Sequence, residues 1–272
     1  MALVPFPGPQ SGALKTPPDD DDESSGEKMS FLEHLDELRK RIVNSCLAIL
    51  VGILATFYFH QQVFNFVFEP TRRVLPPGTS LIYNTPGQAF SMHLQIAMIA
   101  GVVVAAPYIM YQVWKFIAPG LYSNEKRMAI PFVLFSTIGF IGGALFNHYV
   151  VFRYMMSFFA SFDGPDLRFL PTIDSTFDLY TKFLICMGLV FQMPTIVFFL
   201  AKMQMITAGF LIRHFKYAFL LIFIAAAVLT PTGDPVTQAI FAAPMVILYL
   251  LGIVIAWIVG PKRLAAEPGD RL

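Results

Sequence analysis

From Ile42 onward this 272-residue chain is a series of apolar runs separated by short polar segments. About 20 apolar residues are what a helix needs to cross a hydrocarbon core roughly 30 Å thick. In that solvent every backbone N–H and C=O must find a partner within the chain, so runs of this kind fold as helices. Composition agrees: 56% of the residues are hydrophobic and 14% are charged, where soluble domains hold about 25% charged. The expected fold class is therefore an all-α integral membrane protein.

Six spans are expected, at residues 42–60, 89–117, 128–152, 177–200, 217–230 and 239–259. The segment after the first span holds Glu69-Pro70, Arg72-Arg73 and Pro76-Pro77-Gly78, and it reads as too Pro-rich for a helix. The second span is expected to break near Pro107. The fifth is short: its 14 apolar residues before Pro231 cover only about 21 Å at 1.5 Å per residue. The tight turn Thr230 to Pro235 then makes spans five and six a shallow hairpin, with both helices short. Prolines 107, 131, 194 and 244 remove donors and bend their helices. A concave, cup-like bundle is the expected result.

Just upstream of the first span lies Phe31 to Arg41. Phe31, Leu35, Leu38 and Ile42 fall at helical spacing, and Glu33, Asp36, Glu37, Arg39 and Lys40 cover the other faces. This pattern predicts an amphipathic helix lying at the membrane surface and leading into span one. Residues 1–29, with the acidic run Asp19 to Glu23, are expected to be a disordered leader rather than a cleavable signal peptide. The membrane domain is expected over 30–260 and a tail over 261–272. Six spans put both termini on one side. Arg39, Lys40, Arg41, Lys115, Lys126, Arg127, Lys202, Arg213, Lys216, Lys262 and Arg263 would share that side, against Arg72, Arg73, Arg153, Arg168 and Lys182 opposite. The bias places both termini in the cytoplasm.

The sequence holds no H-E-x-x-H, no G-x-S-x-G and no phosphate-binding Gly-rich loop. His34, His60, His93, His148 and His214 are scattered, and Cys46 and Cys186 sit within apolar runs as packing residues. No metal, cofactor, catalytic residue or enzymatic activity is expected. What remains is a set of polar groups with two readings each. Glu37 is either half of a surface pair with Arg41, worth a few tenths of a kcal/mol, or a ligand-binding acid. Glu125, in Leu121 to Arg127, is either a solvated loop charge or a second such acid. Gln192, deep in span four, is either interhelical glue or a site on the concave face. Asp234 stands where it would cap a helix opening at Pro235. No internal repeat is visible, which weakens an inverted-repeat transporter.

Three stretches together resemble the TatC family, the receptor subunit of the twin-arginine protein translocase. They are His34 to Arg41, Pro107 to Leu121 with Glu125-Lys126-Arg127, and Leu229-Thr230-Pro231 through Asp234 and Gln238. The run Tyr111-Gln112-Val113-Trp114-x-Phe116-x-x-Pro119-x-Leu121 is the most specific of them, and the resemblance covers roughly residues 30–260. It implies a non-enzymatic receptor and assembly platform in the bacterial cytoplasmic membrane, exporting folded proteins at the expense of the proton motive force. Glu37 and Glu125 match the two carboxylates that bind the paired arginines of a cargo signal peptide. Arg39 matches a residue that shapes the leading helix, and Phe116 an aromatic near the second acid. Pro70 matches a far-side loop position needed for assembly. Thr230, Asp234 and Gln238 match the far-side patch where the single-span partners TatA and TatB dock.

Implied partners are therefore those two proteins, signal peptides, the bilayer, and further copies of the chain with TatB, without nucleic acid. Many relatives carry Glu at the position of Gln192; an amide cannot ionise, so hydrogen bonding is what carries over. The family often has a basic residue at the position of Ser123, which alters the electrostatics around Glu125. A two-carboxylate clamp requires the start of span one to pack near the loop between spans two and three. The alternative reading is a small-solute or ion transporter with Gln192 as its intramembrane ligand.

Overall fold

The structure, a computed structural model, describes the backbone of residues 21–76, 78–117, 129–230 and 234–260. Side chains are described for 35–76, 78–116, 130–230 and 234–260. The chain forms two compact units, Met1–Lys40 and Arg41–Leu272. The described part of the first is helical: it is the beginning of α1 (Asp21–Tyr58), which starts inside the segment expected to be a disordered leader. Residues 1–20 of that leader and the tail over 261–272 lie outside the described residues.

Among the described residues, five helical stretches are long and apolar enough to cross a membrane: Leu35–Tyr58, Gln88–Phe116, Ile130–Ala160, Ile173–Lys202 and Pro235–Val259. Their exposed residues are largely apolar, as in α1 with Val43, Leu47, Leu50, Val51 and Leu54. In a bilayer these positions face acyl chains, so interhelical contacts gain little hydrophobic energy and rest on close packing instead. Such closeness is visible where α1 crosses α3 (Gln88–Ile117). A Cβ added at Gly52 would lie 2.5 Å from the Gly101 carbonyl oxygen. Beside it, Thr56 Oγ1 donates to the Ala97 carbonyl oxygen at 2.8 Å.

Two proline-based expectations are overturned. The segment after span one is a helix, α2 (His60–Val74), with Pro70 inside it. Proline in a helix interior costs about 3 kcal/mol. Here α2 is amphipathic, and Val67, Phe68, Pro70 and Thr71 on one face are buried. Packing of that face offsets the lost hydrogen bond. The helix ends before Pro76, where Leu75 is extended (ψ 140°), as the residue before a proline prefers. Likewise α3 runs unbroken through Pro107. One missing donor does not end a 30-residue helix that is anchored on both sides of it by buried residues, Ile96, Ala97, Ala105 and Ala106 before and Gln112 and Trp114 after.

The third span extends past its expected end at Phe152. It comprises α4 (Ala129–Phe146), a π-turn at Asn147–Val151 and α5 (Phe152–Ala160). Phe152, Met155 and Met156 are all buried, so the packed face continues beyond the apolar run. The fourth span, expected as one helix with Pro194 inside, is two. α6 (Ile173–Val190) ends in a turn at Phe191 and Gln192, and α7 (Met193–Lys202) restarts with Pro194 in its first turn. There the missing N–H costs nothing. Gly143 of α4 lies against α6, and a Cβ on it would meet the Met187 carbonyl oxygen at 2.5 Å.

After α8 (Ala208–Arg213) comes α9 (Phe215–Leu229), which is short as expected: 15 residues, or about 22 Å. Its partner is not short. α10 (Pro235–Val259) has 25 residues, enough to cross. It starts four residues before the expected span because Asp234 and Pro235 nucleate it ahead of the apolar run. α10 packs on α7 and α9. The main core joins α2, α3, α5, α6 and α10 around Phe68, Met92, Phe152, Phe183 and Phe241, each fully buried.

Candidate functional site

At one end of the second unit, Arg41 Nη1 donates to Gln112 Oε1 of α3 at 3.4 Å. Gln112 is buried. Two residues on, Trp114 is also buried; its ring stacks on Phe132 of α4 at 4.4 Å and meets Phe199 of α7 edge-on at 5.2 Å. The Tyr-Gln-Val-Trp run is therefore a packing device that ties the end of α3 to α1, α4 and α7. Phe116 follows, half-buried, near the end of α3. Glu37, half-buried, and Arg39, exposed, belong to the first unit. Glu125 and Ser123 fall in 118–128, outside the described residues, and so does the loop on which the clamp depends.

The other four assembly candidates have internal structural roles. Pro70 is buried in α2 rather than in a loop. Thr230 ends α9, and its Oγ1 donates to the Ala226 carbonyl oxygen at 2.9 Å. Asp234 is the N-cap of α10, as its position before Pro235 suggests: Oδ2 accepts the Thr237 N–H at 2.7 Å and Oδ1 accepts Thr237 Oγ1–H at 2.6 Å. Gln238 Nε2 donates to the Phe223 carbonyl oxygen at 2.8 Å, joining α10 to α9. Thr230, Asp234 and Gln238 are thus gathered where α9 ends and α10 begins. The turn residues 231–233 lie outside the described residues.

Gln192 is buried at the break between α6 and α7. Its Nε2 donates to the Ser136 carbonyl oxygen of α4 at 3.0 Å and reaches the Gly188 carbonyl oxygen at 3.5 Å. This is the interhelical-glue geometry. A second polar cluster has no motif to announce it in the sequence. His148, in the π-turn, is 2% exposed. Its Nδ1 lies 3.3 Å from Tyr180 Oη of α6, and its Nε2 lies 4.0 Å from Glu69 Oε2 of α2. Glu69 is in turn bound by Arg73, and Phe66 stacks on the imidazole at 3.8 Å. Asn147 beside it is fully buried, and neither of its amide atoms has a hydrogen-bond partner among the described residues. The one signal for this cluster is the dipeptide Asn147-His148 at the end of an apolar run.

Known proteins share this fold and much of this sequence. A family model described as Sec-independent protein translocase protein (TatC) matches residues 33–244. The chain is similar to the Sec-independent protein translocase protein TatC of Koribacter versatilis, 41% identical over 240 residues, covering 86% of this chain and 88% of that protein. It is similar to the TatC of Helicobacter pylori strain J99 at 40% over 228 residues, covering 84% and 89%. Two crystal structures of the twin-arginine translocase receptor TatC superpose on it. One has a TM-score of 0.71 at 33% identity, covering 82% of this chain and 97% of that one. The other, in the detergent DDM, has a TM-score of 0.73 at 32% identity, covering 82% and 99%.

Proposed function

The chain belongs to the TatC family, and from that premise we propose that Glu37 and Glu125 together receive the paired arginines of a cargo signal peptide. The protein is a multi-pass component of the cytoplasmic membrane and acts as a receptor of the Sec-independent, twin-arginine translocase, not as an enzyme. Export of folded proteins by this system draws on the proton motive force. The observation that carries the two-carboxylate reading is the family match over residues 33–244, which includes both acids. A guanidinium presents a planar fork that a carboxylate accepts through two parallel hydrogen bonds, so two adjacent arginines call for two acids. In the same reading Arg39 shapes the leading helix, and Phe116, half-buried near the end of α3, supplies an aromatic to the peptide-binding site.

The topology that goes with this role has six crossings and both termini in the cytoplasm. Five are the long apolar helices, and the sixth is α9, for which the bilayer thins locally or the helix end stops below the surface. TatA- and TatB-type partners dock around Thr230, Asp234 and Gln238, whose internal bonds hold the ends of α9 and α10 in place for them. Pro70 serves assembly through the packing of α2, and the chain assembles with TatB and with further copies of itself. The solute-transporter alternative needs the Gln192 amide to face a substrate, whereas that amide bonds the Ser136 carbonyl.

The test is photo-crosslinking of a twin-arginine precursor from positions beside Glu37 and Glu125, coupled to binding by Glu125→Ala. Removing one partner of a desolvated charge pair costs about 2–5 kcal/mol, so binding should weaken at least tenfold. Undiminished binding by that variant would remove Glu125 from the site.

A further inference from the structure

On the side of the molecule where α10 ends, α8, the start of α9 and the last turn of α10 enclose an open recess of about 1110 Å³. Its lining includes Phe210, Arg213, His214, Lys216, Tyr217 and Trp257. The recess is held in shape by the Tyr249 hydroxyl of α10, which donates to the Leu211 carbonyl oxygen of α8 at 2.9 Å. Thr207 caps α8 by accepting the Phe210 N–H at 3.2 Å. His214 Nδ1 lies 2.8 Å from the Phe210 carbonyl oxygen, so that nitrogen carries the proton.

We propose that this recess binds the headgroup of an anionic diacyl phospholipid. Charge comes first. No Asp or Glu occurs between Asp178 and Asp234, nor from Pro235 to Gly260, so Arg213 and Lys216 have no acid close along the chain. A cationic recess between helices at the membrane surface is matched by a phosphodiester. Depth is the second argument. Tyr217 and Trp257 are 55% and 77% exposed at adjacent ends of α9 and α10, the amphipathic pair that marks the headgroup level. The third argument is continuity with an apolar face. Leu220, Leu221 and Ile224 on α9 and Leu250, Leu251 and Val254 on α10 are exposed below the recess. From Lys216 to Ile224 is about 12 Å along the helix, a course for acyl chains that a free phosphate would not use. The site is separate from the peptide-binding acids and does not rest on that reading.

Trp257 reports on this site, because the only other tryptophan is the buried Trp114. The full chain is placed in phosphatidylcholine nanodiscs doped with phosphatidylglycerol brominated on its acyl chains, in a Trp114→Phe background. A Trp257→Phe protein serves as the subtraction blank for wild type should the Trp114 variant fail to fold. Quenching of Trp257 should half-saturate at a several-fold lower mole fraction of brominated phosphatidylglycerol than of brominated phosphatidylcholine. Arg213→Gln with Lys216→Gln should erase that preference. Equal quenching by the two lipids means ordinary boundary lipid, and a preference that survives the double substitution means another site; either overturns the proposal. A change of Trp257 emission on adding soluble glycerol phosphate to phosphatidylcholine nanodiscs, with no preference for the brominated phosphatidylglycerol, would make the ligand a free phosphate and overturn it as well.

Discussion

Two membrane spans are interrupted, and they are interrupted in opposite ways. The fourth breaks at Phe191 and Gln192 into two helices, α6 and α7. The third continues from α4 to α5 through a π-turn at Asn147–Val151. At the break, Pro194 has no N–H to offer, and the polar residue beside it solves its own problem by donating to a backbone carbonyl of α4. At the π-turn no proline is present. His148 finds its hydrogen-bond partner on another helix, Tyr180 of α6, with the Glu69 carboxylate of α2 lying 4.0 Å from its other nitrogen, while the Asn147 amide finds none among the described residues. A polar group in an apolar span can thus be satisfied by a neighbouring backbone, which is always available, or by side chains that only the fold assembles.

Between the two interruptions α4 and α6 approach closely, and the largest effect is expected there. Gly143→Ala would place a methyl 2.5 Å from the Met187 carbonyl oxygen. The helices would have to part between the two interruptions, and overpacking of this kind costs about 1–3 kcal/mol, occasionally more. The thermal midpoint of the purified protein should fall further than it does for substitutions at Gln192 or Asn147. An unchanged midpoint would mean that α4 and α6 are not in backbone contact.

A loss of similar size is expected from His148→Ala, which strips Tyr180 of its partner and removes the ring stacked on Phe66. Leaving a buried polar group unpaired costs about 1–3 kcal/mol. His148→Phe should recover part of the loss, because it retains a ring for Phe66 and lacks only the polar contacts. Equal losses for the two would assign the role of His148 to its hydrogen bonding alone.

The finest test pits the two amides against each other. Gln192→Leu deletes a bond to a backbone carbonyl and should cost about 0.6 kcal/mol, the average for interhelical hydrogen bonds in membranes. Asn147→Leu removes two polar atoms that bond nothing among the described residues, so it should be neutral or stabilising. Unfolding of the two variants side by side in the same detergent reads the sign directly. A loss at Asn147 as large as that at Gln192 would mean the two interruptions are satisfied alike.

Legibility from sequence followed the range of the interaction. Asp234-Pro235 reads as a helix start because a cap and its helix are adjacent in the chain, and the structure has that cap. The short α9 was legible because length is counted along the chain. Proline misled where tertiary packing overrode a local penalty. Pro70 and Pro107 lie inside continuous helices, whereas Pro194 coincides with a break. What differs is the position each proline takes: Pro70 and Pro107 stand in helix interiors, whereas Pro194 stands in the first turn of α7, where a missing N–H costs nothing. In the candidate site, the sequence places Glu37 and Arg39 on the leading helix and marks Gln112 and Trp114 as special residues. That these last two serve as packing anchors required their partners Arg41, Phe132 and Phe199, which are distant in sequence.

By itself, then, the amino-acid order determined the solvent this protein folds in, the existence of its apolar helices, the start of α10 and the family to which it belongs. These depend on hydropathy, length and neighbouring residues. Only the tertiary structure decided which prolines break a helix, which glycines let backbones touch, and where His148, Asn147 and Gln192 find or lack partners. Inside a bilayer, lipid satisfies apolar side chains in almost any arrangement. The arrangement is chosen by close packing and hydrogen bonds between segments far apart in the chain.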